Sequence, residues 1–426
     1  MADTDINRTI ETVFRLEQAR LIAGLTRMLR DVGLAEELAQ DALVTALSEW
    51  PTSGVPDNPA AWLMAAAKRR AVDRLRRAKM QERKHVEIGR DLDDVRDDAV
   101  GRLEAALDDD IGDDLLNLIF IACHPVLSQE ARAALTLRLI AGLTTGEIAR
   151  AFLTTEPTVA QRITRAKKTL AESGAAYEAP RGEARVARLA SVLEVIYLIF
   201  NEGYAATAGD DLIRADLCGE AQRLGRILTG IAQDEPEAFG LLALMEIQAS
   251  RLKARVGPDG AAIPLPEQNR ARWDRLLIGR GFEALARAEA LGGADGPYAL
   301  QAALAACHAR ASRAEDTDWA RIAGLYDRLS FVTPSPVIGL NRAVAHSMAF
   351  GPEAGLGLLA PLEQDAMLRE YLPLYAAKGD FLFRVGRYGE ARAAFDQAAS
   401  LSRNTAERNF LLKRAAACGL AGPIAR

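Results

Sequence analysis

Apolar residues recur at three- and four-residue intervals along almost the entire chain, and no run of alternating Val, Ile or Thr between glycine turns interrupts them. A side chain that returns to one face every 3.6 residues is buried efficiently only on a helix. The expected fold class is therefore all-α, and Ala, Leu, Arg and Glu dominate the composition accordingly. At roughly 150 residues per domain, the 426 residues suggest about three domains.

Breaks in the pattern place the boundaries. A first helical block spans 6–79, interrupted at PTSGVPDNP (Pro51 to Pro59), where three prolines and one glycine predict a loop that ends one helix before the next begins. Residues 80–114 are charged and poor in large apolar side chains, the composition of a tether. A compact block occupies 115–174. After the joint SGAAYEAPRGE (Ser173 to Glu183), helical pattern continues over 184–426.

Net charge is only −5, but its distribution is uneven. Ten Lys or Arg stand against three acids from Lys68 to Arg90, and eleven acids against two Arg from Asp91 to Asp114. Like charges crowded on one helix repel one another unless a polyanion relieves them, so the basic stretch points to DNA phosphate and the reversal to a local function. The acidic stretch is expected to keep the two DNA-binding blocks apart and to compete for their basic faces when DNA is absent.

The block 115–174 has helix-turn-helix spacing. GLTTGEIARAF (Gly142 to Phe152) sets Leu143, Ile148, Ala149 and Phe152 on one face. LTT then forms the corner, with Thr155 as cap and Pro157 in the first turn of the next helix. Val159 and Ile163 turn inward, which leaves Thr158, Gln161, Arg162, Arg165 and Lys168 on the outer arc of a recognition helix. Arg and Gln read base edges; Lys neutralises phosphate.

In the first block, Trp62, Leu63, Ala66, Val72 and Leu75 form an apolar stripe, and Lys68, Arg69, Arg70, Arg74, Arg76 and Arg77 cover the rest. Trp62 suits either a core position that fixes the loop to the helix or stacking on an unpaired base. The loop itself has free backbone donors and acceptors to hold an extruded base.

These strings, GLAEELAQDALVTALSEW (Gly33 to Trp50), NPAAWLMAAAKRRAVDRLRR (Asn58 to Arg77) and LTTGEIARAFLTTEPTVAQRITRAKKTL (Leu143 to Leu170), resemble in order and spacing an RNA polymerase sigma factor of the extracytoplasmic-function group. The resemblance implies that Glu36, Glu37, Gln40 and Asp41 dock on the clamp helices of core RNA polymerase. It implies that Pro51 to Arg77, including Asp57, Asn58, Trp62, Lys68, Arg69, Arg70, Arg74 and Arg77, melt and read the −10 element of promoter DNA. The helix from Pro157 to Lys168 would read the −35 element. Many members carry Asn near the middle of the −10 helix, where this chain has Arg69.

Toward the C-terminus, Tyr375, Gly379, Gly386, Tyr388, Ala391, Phe395 and Ala398 fall at tetratricopeptide spacings, and a weaker copy surrounds Asn341 to Leu359. Small residues let two antiparallel helices approach, and Phe395 fills the gap between them. VLEVIYLIFNEGYAAT (Val192 to Thr207) holds Glu194, Asn201, Glu202 and Tyr204 in or beside a very apolar helix, where they must be bonded to neighbouring helices or arranged around a ligand. Glu202, Tyr204 and Trp273, which follows a long Pro/Gly loop, are candidate regulatory residues. With these strings the resemblance extends to sigma factors bearing a C-terminal tetratricopeptide-like domain, and it implies regulation within the polypeptide through an intramolecular, protein or ligand partner.

Phosphate-cradling, zincin and serine-hydrolase motifs are missing, the four His are scattered, and Cys123 and His124 diverge on a helix. No enzyme, metal or cofactor is therefore expected. Four unpaired cysteines read as reduced, buried thiols of a cytoplasmic protein, and no membrane span is expected. Two other readings stay open: a helix-turn-helix regulator with a repeat-type sensor that binds duplex DNA without polymerase, and a C-terminal enzyme using Glu202, Tyr204 and Trp273.

Overall fold

A computed structural model describes residues 2–85, 111–152, 154–173, 180, 183–204, 213–257, 263–402 and 405–421. They are helical with connecting turns, with no β-strand element among the described residues. The chain divides into two compact units, Met1–Gln233 and Asp234–Arg426.

The first unit begins with α1 (Ala2–Leu29), α2 (Val32–Ser53) and α3 (Pro59–His85). Ile10, Phe14, Ile22 and Leu25 of α1, Leu38, Ala39 and Ala42 of α2, and Leu63, Ala67 and Ala71 of α3 are buried. Helical spacing puts them on single faces, and the small residues let the helices approach closely. Asp31 caps α2 by accepting from the Leu34 N–H at 3.0 Å.

The expected break at Pro51 is corrected: α2 runs through Pro51 to Ser53, and the loop is confined to Gly54–Asn58. Proline in the last turn forfeits one main-chain donor but already has a helical φ. Trp50 is fully buried and meets the Trp62 ring edge-on at 5.2 Å, which anchors the turn, and Gly54 N–H donates to Trp50 O at 2.9 Å to close it. Asn58 starts α3 as its cap, Oδ1 accepting from Ala61 N–H at 3.1 Å.

Helix α4 (Ile111–Ala122) opens inside the stretch read as a tether, and α3 extends past Met80, so both ends of that stretch are structured; residues 86–110 lie outside the described residues. Asp114 is buried and its carboxylate lies 3.3 Å from Arg27 of α1. An acid in the first turn of a helix faces its positive end, and Arg27 supplies the countercharge that composition alone did not reveal.

Helices α5 (Gln129–Leu139), α6 (Thr145–Ala151) and α7 (Glu156–Glu172) follow. Thr144 and Glu147 make a reciprocal capping box at the start of α6. Thr155 caps α7, with Pro157 in its first turn. Leu143, Ile148, Ala149, Val159 and Ile163 are buried, and Phe152 half-buried. Helices α8 (Glu183–Tyr204) and α9 (Ala215–Ile231) complete the unit, packed on α4 and α5. The first compact unit thus takes in α8 and α9 and ends at Gln233.

The second unit holds α10 (Pro236–Ala249), α11 (Arg275–Ala290), α12 (Pro297–Arg310), α13 (Trp319–Val332), α14 (Pro336–Phe350), α15 (Pro352–Leu359), α16 (Leu372–Arg384), α17 (Tyr388–Leu401) and α18 (Thr405–Ala421). Each packs on the helix before and after it, the arrangement of a solenoid. In the pair α16–α17, Ala391, Phe395 and Ala398 are buried. A Cβ on Gly379 would stand 2.8 Å from the Phe395 ring, so only glycine admits this approach.

Candidate nucleic-acid and polymerase interface

Helix α7 presents two chemically distinct faces. Val159, Ile163, Ala166 and Leu170 are buried, at spacings of three and four. Thr158, Gln161, Arg165 and Lys168 are exposed and Arg162 half-buried on the opposite arc. Thr158 shares a 2.7 Å hydroxyl contact with Thr155, which ties the first turn, and Lys168 reaches Glu172 at 3.6 Å. That pair is exposed on both sides and is worth little.

On α3, the basic residues separate by environment. Arg69 is exposed and its Nε donates to Ala65 O at 3.4 Å. Arg70 donates to Thr45 Oγ1 at 2.7 Å and lies 3.5 Å from Asp41, while Arg74 donates to Glu37 at 2.6 Å. Residues that the resemblance assigns to DNA and to polymerase thus meet across α2 and α3. The hydrogen bond to Glu37 is the main influence holding the Arg74 pKa above its ordinary value. Lys68 turns toward α1: burial, then the nearby Arg27, lowers its pKa. Asp57 and Asn58 are exposed in the loop and Trp62 is half-buried beside Trp50. The side chain of Arg77 lies outside the described residues, as does that of Arg76.

On α2, Glu37 is exposed, Gln40 and Asp41 are half-buried, and Val44, one turn further along, is 60% exposed. Sequence reasoning passed over Val44, whose signal is an apolar residue on an otherwise polar arc. Glu36 points the other way. It is 5% exposed, accepts from Arg138 Nε of α5 at 2.6 Å, and accepts from Lys167 Nζ of α7. Arg138 also donates to Leu143 O at 3.2 Å.

Two acids of α8 are bonded to residues outside it. Glu194 pairs with Arg132 of α5 at 3.3 Å, and Glu202 accepts from Arg214 at 2.6 Å. Tyr204 stacks on Phe200, centroids 5.5 Å apart. In the second unit Trp273 is buried, with Arg270 over its ring at 5.0 Å. Cys123 contacts Thr136 at 3.3 Å in the core, where burial pushes its thiol up to about 11, while the His124 ring turns back to the Val126 N–H at 3.1 Å. The two side chains diverge, and all four cysteines are buried and outside any disulfide. No described helix is long and apolar enough to cross a membrane.

A capped helix-turn-helix with a cationic outer arc, carried in the same chain as a bundle that bears one acidic and one basic helix, defines a DNA-binding protein of the transcription machinery. Residues 13–80 match sigma-70 region 2 and residues 117–170 match sigma-70 region 4, so the chain carries both of these sigma-factor regions. Residues 188–289 match a family of unknown function, DUF6596. An uncharacterized protein of Rhizobium meliloti (strain 1021) is 42% identical over 394 residues, covering 92% of this chain and 91% of that protein. The ECF RNA polymerase sigma factor SigK of Mycobacterium ulcerans is 29% identical over 148 residues, 34% of this chain and 74% of that protein. SigK of Mycobacterium sp. (strain KMS) is 28% identical over 167 residues, 38% and 81%. No solved structure matches the chain.

Proposed function

We propose that this sigma factor binds core RNA polymerase through the outer face of α2 (Glu37, Gln40 and Asp41, with Glu36 joining when its ion pairs open) and reads two promoter elements. The loop Gly54–Asn58 and helix α3 take the −10 element: Trp62 and the loop backbone hold an unpaired base, and Arg69, Arg70, Arg74 and Arg77 track phosphate. Helix α7 takes the −35 element, with Gln161, Arg162 and Arg165 at base edges and Thr158 and Lys168 on the backbone. The work is recruitment and melting, with no covalent step by this chain.

The observation that carries this reading is the outer arc of α7, five polar or cationic side chains turned away from a buried apolar face on a doubly capped helix-turn-helix. The −10 reading draws support from the weak, exposed pairs Arg74–Glu37 and Arg70–Asp41, which cost little to exchange for phosphate. Run-off transcription with purified core polymerase on a promoter carrying both elements tests it. A transcript that depends on this chain is expected, and duplex binding that is indifferent to core enzyme would favour a plain helix-turn-helix regulator instead.

The second unit is the regulatory part in this reading. Truncation after Gln233, at the boundary between the units, tests it while leaving α8 and α9 in place. Loss of transcription would make the extension an activator and gain an inhibitor; unchanged transcription would deny it a role.

A further inference from the structure

Among the described residues, three helices of the −35 domain end in carbonyls that accept from side chains of α8 and α9 and from the residue that opens α9; α1 adds Gln18, which donates to Arg138 O at 3.4 Å. At the end of α4, Arg188 donates to Phe120 O at 2.9 Å and Ser191 to Cys123 O at 2.7 Å. At the end of α5, Arg223 donates to Ile140 O at 3.2 Å. At the end of α6, Arg214 donates to Ala151 O. The last carbonyls of a helix lack intrahelical partners and carry its negative end, so partly buried cations there satisfy both needs.

Arg214 is the most consequential of these. The same Nη1 that reaches Ala151 O is held by Glu202 Oε1 at 2.6 Å, and the two side chains are only 12% and 13% exposed. The main chain fixes the pair as well. Arg214 N–H donates to Gly203 O at 2.7 Å, and a Cβ on Gly203 would stand 2.7 Å from Cys218 N, so α8 and α9 touch at the residue beside Glu202. Ala151 closes α6 and lies four residues before Thr155, the cap of α7. Its carbonyl direction therefore sets the path by which the chain enters the recognition helix. Lys168 lies about 20 Å along α7 from that corner, so a tilt of about 10° displaces it by about 3 Å, enough to lose a base or phosphate contact.

We propose that the α8–α9 hairpin, most of which falls in the segment of unknown function, is a working part of the promoter-binding domain, and that Arg214, held by Glu202, is a positioning residue for the corner of the helix-turn-helix. The promoter arm of its test rests on the reading of α7 as the −35 helix. The exchange arm does not.

The test uses the full chain and the variants Arg214→Gln, Arg214→Lys and Glu202→Gln. Hydrogen exchange reads the amides of residues 145–158, including Phe152 N–H and Thr154 N–H, which donate to Ile148 O and Ala149 O. With core polymerase, binding is compared on a promoter carrying both elements and on a fragment carrying only the −10 element. Arg214→Gln is expected to speed exchange at the corner ~10-fold while α1–α3 stay protected, and to weaken binding to the complete promoter ~10-fold without change on the −10 fragment. Arg214→Lys, which returns a cation to the same carbonyl, recovers part of both effects. Glu202→Gln keeps an acceptor without its charge and acts in the same direction more weakly. Unchanged exchange at the corner, or equal losses on both DNAs, would overturn the proposal. If the wild-type chain binds neither DNA, the −35 reading fails while the exchange result still judges Arg214.

Discussion

Arg74 of α3 donates to Glu37 of α2 at 2.6 Å, one residue along α2 from a Glu36 that is turned into the protein and held by Arg138 and Lys167. Neighbours on a helix point about 100° apart, and here that difference separates two kinds of ion pair. Glu37 and Arg74 keep about half of their side-chain surface in water, whereas Glu36 keeps 7%. Removing Glu36 leaves two half-buried cations facing one another, so Glu36→Ala is expected to cost about 3 kcal/mol. Glu37→Ala is expected to cost less than about 1 kcal/mol. Urea unfolding of the two variants checks the contrast; equal losses would remove it.

Arg165 and Lys168 sit on the same arc, and the proposed −35 reading gives them different work. Arg165→Ala is expected to cost about 1–3 kcal/mol on the preferred −35 sequence and to relax preference at one position. Lys168→Ala should weaken all sequences alike and lower the salt slope by about 1. Competition binding by the holoenzyme at several salt concentrations separates the two behaviours.

His308 gives the second unit an acid sensitivity. Burial, then Arg251 and Arg270, lowers its pKa from 6.5 to about 4. As pH falls from 6.5 toward 4 the unfolded chain gains a proton that the folded unit refuses, so stability is full above pH 6.5 and declines through that window. The loss reaches at most about 3 kcal/mol, reduced by the ring's remaining exposure. Thermal unfolding at pH 7 and pH 4.5 should show the decline, and His308→Phe should flatten it.

Packing between α16 and α17 leaves no room at Gly379. Gly379→Ala forces a methyl to within 2.8 Å of the Phe395 ring and is expected to destabilise by about 1–3 kcal/mol. Gly389→Ala, with nothing within 4 Å, should instead be neutral or stabilise by up to about 1 kcal/mol. Urea midpoints of the two variants moving together would refute the steric account.

What the sequence determined alone is what periodicity and short-range chemistry carry. The helical class follows from apolar spacing, the helix-turn-helix from Thr155, Pro157, Val159 and Ile163, and the α16–α17 pair from Gly379, Ala391 and Phe395. Each depends on residues a few positions apart or on one repeat. Tertiary structure alone decided that Glu36 faces Arg138 and Lys167, 102 and 131 residues away, that Arg214 caps a carbonyl 63 residues earlier, and that α2 continues through Pro51 because Trp50 is anchored. Charged residues bound for solvent, for a buried pair or for a distant helix end share the same spacing, so only packing between distant segments distinguishes them.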